Sequence, residues 1–384
     1  MRFQQILEKY LPVISEMLAP AIFFAVILFT FLCLGEFAYS TAKIFHGFFY
    51  FFAVLGIIVM LNFNIAKMLF FNLTIVLAYI IINYLKNRYG PEFNTTSWYN
   101  YLAILTPCNL LGFYLCYPRK FISRQTLMFV MILSLQCAVI EKIALFDINI
   151  IMINNINIIS QTAFAVLLLT SFVKSVKSGN IYDYSILYAS LATWLGFCNS
   201  SVASGLSVFF FTAQSILISS LIYSLVYSHF YDDSTGFYNR NSYLIRSKNF
   251  PLKYSLGIVS IDNYDKIGLS FGKQKQAVIT SLMAEQIHEI ASGETIFRYA
   301  PDQFIILYKT FDKKEAFAHL DEIRRTIARN SFAFSPKQKA IKLTVSCSVA
   351  EKKRSDAGAV EVLMRADKAM RKTLKFSHNV TSQG

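Results

Sequence analysis

Apolar positions come in eight long runs over the first 228 residues and then give way to short alternating runs. The long runs fall near 17–35, 44–61, 68–85, 101–117, 126–146, 156–173, 184–198 and 206–228. Each approaches the ~20 residues that a helix needs to cross a hydrocarbon core of ~30 Å. Glu141 and Lys142 interrupt the fifth, and the seventh is short, so six or seven spans stand as alternatives to eight. The last run passes through Tyr227 and Ser228 into His229-Phe230-Tyr231-Asp232-Asp233 with no Gly-, Ser- or Pro-rich linker. A continuous or nearly continuous helix is expected there, which suits either signalling from the membrane or plain anchoring.

The remaining residues predict a packed α+β layer. Asp232 to Arg240 is rich in turn formers, and Asn239 and Arg240 open an amphipathic segment. Tyr254 to Ile261 reads as a buried central strand ending at Asp262. A loop to Gly272 and a helix over 273–291 follow, with Ala277, Ile279, Leu282, Met283, Ile287 and Ile290 inward. Two apolar runs flank Ala300–Asp302, the pattern of a β-hairpin. A helix over 313–329, a strand over 341–350 and a helix over 360–374 complete the order β-α-β-β-α-β-α. The polar tail, residues 377–384, is expected to be disordered.

Charge divides the chain at the same place. Residues 1–228 hold 12 Lys and Arg against 7 Asp and Glu, and residues 229–384 hold 25 against 16. We therefore expect two domains, an integral membrane domain over 1–228 and a cytoplasmic one over 229–384. With eight spans and the N-terminus inside, eight loop cations are cytoplasmic (Arg2, Lys9, Lys67, Arg119, Lys120, Arg124, Lys174, Lys177) and three are outside (Lys43, Lys86, Arg88). That asymmetry fits the positive-inside rule and puts both termini in the cytoplasm. Pro12, Glu16 and Pro20 break the first run, so no removable leader is expected. The net charge of +14 reads as attraction to an anionic leaflet rather than to nucleic acid. The run Lys352-Lys353-Arg354 reads as a solvated loop, or more sharply as a dock for lipid or an acidic partner.

Six cysteines (Cys33, Cys108, Cys116, Cys137, Cys198, Cys347) form no CxxC pair and are expected to be free, mostly buried thiols. Glu16, Glu36 and Asp183 lie near span ends, where interfacial placement is expected. Glu141 and Lys142 are adjacent and project about 100° apart on a helix, so they do not face each other. Asn62, Asn72, Asn109, Gln136 and Gln214 are expected to bridge helices. Nothing here spells out a transport path or a ligand.

From Asp232 onward the chain resembles a GGDEF domain, the palm-like catalytic domain of diguanylate cyclases. Thr235, Gly236, Asn239 and Arg240 match the family's opening D-x-L-T-G-L-x-N-R. Asp262, Tyr264 and Ile267 follow D-x-D-x-F-K-x-I-N-D, and Gly272 stands for the first Gly of G-H-x-x-G-D. Arg298-Tyr299-Ala300-Pro301-Asp302-Gln303-Phe304 resembles R-Y-G-G-D-E-F. Leu343–Ala350 and Arg365-Ala366-Asp367-Lys368-Ala369-Met370 resemble the T-V-S-x-G-V-A strand and the R-A-D-x-A-L helix. The resemblance implies a ferredoxin-like palm with a central antiparallel sheet, and chemistry joining two GTP molecules across a dimer.

Site by site, the chain departs from that family pattern. Ser260 stands for the first metal-binding Asp, a neutral hydroxyl and a poor ligand for a hard cation. Asp262 and Asp302 are the residual metal-binding candidates. Asp265 reverses the charge of the family's Lys, and Gln303 replaces the Glu of the signature. Gly268 and Ala277 replace the two guanine-contacting side chains. Ala300 and Pro301 replace two glycines, and proline fixes φ and removes a donor. Leu374 and His378 replace the phosphate-gripping Lys and Arg. Ala291 and Glu294 stand where the product-inhibition motif R-x-x-D would be.

The expectation is a membrane-anchored GGDEF-family protein of cyclic di-GMP-related signalling at the bacterial inner membrane. It would be catalytically inactive and act by protein contact. No cofactor is expected, with Mg only if residual nucleotide binding persists. The expected partners are the lipid bilayer, another membrane or cyclic di-GMP-pathway protein, and a second copy through the GGDEF-like domain; nucleic acid is not among them. Two other readings stay open: an active or partner-complemented diguanylate cyclase or other nucleotide-binding enzyme, and a membrane receptor or transport component with a dimerisation domain.

Overall fold

The computed structural model describes residues 20–22, 24–29, 31, 39–116, 124–143, 152–153, 155–202, 204–332 and 341–384. They divide into two compact units, Met1–Ser224 and Leu225–Gly384.

The first unit is helical. Its long helices are α1 (Tyr39–Asn62), α2 (Ala66–Tyr89), α3 (Ser97–Leu115), α4 (Arg124–Ile143), α5 (Ile158–Ser178), α6 (Ile181–Cys198) and α7 (Gly205–Phe230). Among the described residues, four helices (α1, α2, α5 and α7) are long and apolar enough to cross a membrane. Nine of the 19 residues of the apolar run at 17–35 lie outside the described residues, as do Glu16, Glu36 and Cys33. Local chemistry sets several boundaries. The Asn157 side chain accepts from Ser160 N at 2.7 Å to start α5, Gly179 closes it at φ 60°, and Asn180 accepts from Tyr182 N at 2.9 Å to start α6.

Several polar contacts in this unit join its helices, and two of them bear on the sequence reading. Asn109 and Gln136 exchange amide hydrogen bonds of 2.8 and 3.0 Å between α3 and α4, the helix bridge their composition suggested. Asp183, in the first turn of α6, is buried and paired with Lys67 at 2.7 Å. Burial of the thiols is corrected. Cys108 and Cys116 are exposed on their helices, Cys198 is half-buried and Cys347 fully buried.

The second unit is a six-stranded sheet with helices on both faces. Its strands are β1 (Tyr238–Asn239), β2 (Ser255–Ile261), β3 (Thr295–Ala300), β4 (Gln303–Tyr308), β5 (Val345–Glu351) and β6 (Thr381–Gln383), in the order β6-β5-β2-β4-β3-β1. The four inner strands are antiparallel, and the short edge strands β1 and β6 pair in parallel. The helices are α8 (Arg240–Arg246), α9 (Tyr264–Phe271), α10 (Lys273–Ile290), α11 (Lys313–Arg329) and α12 (Ala359–Leu374).

Alternation along the strands divides the core. Val259, Ile261, Phe304, Ile306, Val345, Cys347 and Val349 face α10 and α11, whereas Leu256, Ile258, Ile305, Leu307 and Ala350 face α8 and α12. Helix α11 begins with a complete capping box, Asp312 to Glu315, and turns Ala316, Leu320, Ile323 and Ile327 inward. Gly257 is where helix and sheet approach most closely. A Cβ there would lie 2.9 Å from Leu320 Cδ1, so only glycine leaves that space to the leucine.

Three expectations change. The loop before Gly272 folds as α9, entered through Asn263 in the left-handed region at φ 54°. The strand anticipated over 341–350 is broken: Ile341–Lys342 pairs with Ser331–Phe332, and β5 starts only at Val345. The tail is ordered. Thr381–Gln383 joins the sheet beside β5, with Val380 O accepting from Cys347 N and Gly384 N donating to Val349 O, both at 2.8 Å. Thr381 donates to Asp321, and Arg324 donates to the Asn379 carbonyl and side chain at 3.1 and 3.0 Å. Deleting residues 379–384 should therefore cost about 3 kcal/mol, from several hydrogen bonds of ~1 kcal/mol each. Amide exchange in Val345–Glu351 should rise roughly 100-fold in the truncated full-length chain while α10 stays protected.

Candidate functional site

The candidate site lies where β2 ends beside the β3–β4 hairpin. All seven residues of β2 are buried, so the strand delivers Ser260 and Asp262 to a fixed place at the sheet's end. A cleft of about 440 Å³ opens there. Ser260, Asp262, Tyr264, Asp265, Lys266, Pro301, Asp302, Leu374 and His378 line it.

Asp262 is turned toward its own chain. Its side chain is 1% exposed. Thr344 Oγ1 and Ser346 Oγ each donate to the carboxylate at 2.7 Å, and Asn379 N donates at 3.0 Å. His378 Nδ1 lies 3.4 Å from Oδ1. Both oxygens thus hold strand β5 and the segment leading to β6. Ser260 Oγ donates to Asp302 Oδ2 at 3.4 Å, and Ile261 N donates to Asp302 O at 2.8 Å. Both Asp262 oxygens are thus in use within the chain, whereas the Asp302 carboxylate has one long contact; a hard dication takes six or more oxygen ligands in the case of calcium and near-octahedral ones for magnesium. Among the described residues no three His, Cys, Asp or Glu side chains gather at a metal-sized position.

The hairpin tip closes without glycine. Ala300 pairs with Gln303 after a register irregularity at Arg298–Ala300. None of Ala300, Pro301, Asp302 and Gln303 has a positive φ. Pro301 sits at the second position of the turn, where its fixed φ is favourable. Phe304 is fully buried beneath it and meets Phe237 edge-on. Arg298 binds the tip to the domain's opening loop. Its guanidinium donates to Asp232 Oδ1 at 2.7 Å, to the Ser234 hydroxyl, and to Pro301 O at 3.2 Å.

Gly268 and Ala277 sit on neighbouring helices, α9 and α10. The space a side chain at 268 would enter is occupied by Gln276, whose amide atoms lie 2.8 Å from where a Gly268 Cβ would be. The same amide donates to Tyr264 O at 2.9 Å and ties the two helices together. Ala277, expected to face inward, is exposed beside it, because the buried stripe of α10 begins only at Ile279. Leu374 ends α12 at the cleft rim next to His378. Ala291 is buried, and Glu294 N donates to Ala291 O in a turn through Gly293 at φ 96°. Sequence reading picked out neither Gln276 nor the Thr344–Ser346–Asn379 cradle. The cradle acts on Asp262 from residues 82 or more positions away in the chain, whereas Gln276 acts on the neighbouring helix.

A family model for the diguanylate cyclase GGDEF domain matches residues 229–379. Residues 229–379 are a GGDEF domain. The GGDEF domain is related to the diguanylate cyclases of c-di-GMP signalling. Solved structures similar to this chain include the GGDEF domain of DgcB from Caulobacter crescentus in complex with c-di-GMP, at 19% identity and TM-score 0.37, covering 40% of this chain and 92% of that one. The FimX GGDEF domain from Pseudomonas aeruginosa matches at 18% identity and TM-score 0.37, covering 40% and 99%. The active GGEEF domain of a diguanylate cyclase from Vibrio cholerae matches at 20% identity and TM-score 0.33, covering 37% and 89%. No curated protein matches the sequence.

Two measurements follow from the GGDEF site. Asp262→Ala should destabilise the domain by about 3 kcal/mol, because the Thr344 and Ser346 hydroxyls and the Asn379 amide lose a charged acceptor. Asp302→Ala should cost under about 1 kcal/mol, since one long side-chain contact is lost. Denaturant unfolding of the full-length variants reads both.

The second concerns acid. Burial raises the Asp232 carboxyl, but hydrogen bonds from Ser234, Arg298 and Thr235 and the Arg298 charge outweigh it and hold the group below the usual carboxylate range. A depressed folded value contributes stability that is fully present above the ordinary aspartate pKa of ~3.9 and is lost as pH falls through the folded value. Stability of Asp232→Asn should accordingly be lower than wild type at neutral pH and converge with it in strong acid, measured by Tm against pH.

Proposed function

We propose that this protein is a catalytically inactive, membrane-anchored GGDEF regulator of c-di-GMP signalling that works by binding another protein. In this reading the membrane unit crosses the bacterial inner membrane about eight times and both termini are cytoplasmic. The observation that carries the proposal is the fate of the two carboxylates at the cleft. Asp262 gives both oxygens to donors of its own chain, and Asp302 faces the Ser260 hydroxyl where the family places a second metal-binding carboxylate. Joining two nucleotides needs metal ions to offset triphosphate charge, and among the described residues Lys266 is the one Lys or Arg side chain that lines the cleft.

Three further features support the reading. Gln276 fills the space beside Gly268, so an asparagine there would collide with it rather than reach a base. Leu374 lines the cleft where a cation would grip phosphate. The Ala300–Pro301 tip keeps its hairpin with one amide donor fewer. Removing one catalytic group typically lowers a rate by ~10²–10⁴, and here several are altered together. The packed core is retained on both faces of the sheet, so a binding surface survives the loss of the site. The partner expected by this reading is a membrane or c-di-GMP-pathway protein, or a second copy of the domain.

The test uses the full-length protein in nanodiscs with GTP and Mg²⁺. No c-di-GMP should form, and calorimetry with GTP should show no saturable heat. Formation of c-di-GMP overturns the proposal. Crosslinking in native membranes should recover a specific protein partner.

A further inference from the structure

We propose that helix α8 and the loop after it, residues 240–253, form a docking surface for an anionic lipid leaflet. The inference rests on the reading that α7 spans a membrane with the domain on its cytoplasmic side. Its first support is composition. From Ser234 to Ile261 the chain holds no Asp or Glu and four cations, Arg240, Arg246, Lys248 and Lys253. All four are exposed.

The same stretch exposes apolar side chains. Ser242 and Tyr243 turn into the core, whereas Leu244 and Ile245 are 45% and 44% exposed and Leu252 is 94% exposed. Cations interleaved with exposed aliphatic groups suit a lipid surface: ammonium and guanidinium groups meet phosphates while Leu and Ile reach the acyl boundary. An acidic protein would satisfy the cations but would give Leu252 nothing to bury against unless it carried a matching apolar groove.

Position is the second support. The start of α8 is bonded directly to the end of α7. Asn239 Nδ2 donates to Ser228 O and His229 O at 3.0 Å, Asn241 Nδ2 to His229 O at 3.2 Å, and Ser242 Oγ to Phe230 O at 2.5 Å. Helix α7 has 26 residues, and at ~1.5 Å each it exceeds a ~30 Å hydrocarbon core, so an end of it emerges at headgroup level. Tyr227, Tyr231 and Tyr238 stack in succession at 4.6 and 4.9 Å, and the Arg246 guanidinium lies 3.8 Å from the Tyr238 ring. Tyrosines favour the membrane interface, so this stack carries α8 to the level where headgroups lie.

Full-length protein in nanodiscs of phosphatidylcholine, with or without phosphatidylglycerol, tests this by amide hydrogen exchange. Peptides covering 240–253 should exchange about fivefold more slowly in the anionic discs, and high salt should remove the difference. Lys248→Glu/Lys253→Glu should abolish it while leaving exchange in β2 and β5 unchanged, which shows that the domain is still folded. Leu252→Ser should reduce it without changing the charge. Equal exchange in both discs overturns the proposal, and so does protection in both discs that resists salt, which marks a protein contact instead. Failure of the chain to enter discs at all overturns the membrane reading beneath it.

Discussion

A buried carboxylate organises the end of the sheet. Taking an aspartate out of water costs several kcal/mol unless donors replace its hydration. Asp262 meets that demand with two hydroxyls from the β5 side and one backbone amide from the C-terminal segment. The amide is the consequential one. To offer it, Asn379 adopts a left-handed backbone at φ 57°, held there by Arg324, and the chain beyond runs on as β6 beside β5. One charge thus fixes three segments at the place where the sheet meets the cleft.

At the cleft, both oxygens of Asp262 accept hydrogen bonds from its own chain. The hairpin opposite is also held from within the domain. Pro301 stiffens the turn, Arg298 anchors it to Asp232, and the Ser260 hydroxyl reaches Asp302 across it. Between α9 and α10, the Gln276 amide bonds to the Tyr264 carbonyl in the space beside Gly268. Asp262, Arg298 and Gln276 thus each hold segments of the domain together beside the cleft.

Much of the architecture was legible because burial writes a period into the sequence. The apolar stripes of α10, α11 and α12 follow from that period, and β2 and β4, buried on both faces, read as apolar runs. What escaped depends on partners distant in the chain. Thr381-Ser382-Gln383 has no apolar alternation, and it is a strand because β5 offers backbone groups and Asp321 and Arg324 hold its flanks. Helix α9 buries only Ile267, too little to leave a stripe, and it is set by the left-handed turn at Asn263. The Lys67–Asp183 pair spans 116 residues. Cys108 and Cys116 are exposed against the expectation of burial because an apolar stretch does not fix which side its small residues face.

The junction joins the two kinds of order. Helix α7 ends with carbonyl groups that have no partner inside the helix. Asn239 and Asn241 supply side-chain amides and Ser242 a hydroxyl to those groups, while Asn239 also caps α8 by accepting from Ser242 N at 3.0 Å. The same asparagine therefore ends one helix and begins the next. Tyr231 then bridges to Tyr238, and Asp232 N bonds to Phe237 O, closing a loop that Arg298 ties to the hairpin. Asn239, Asn241 and Ser242 thus satisfy the last carbonyls of α7 and fix the start of α8 against its final turn, with only a short closed loop between them.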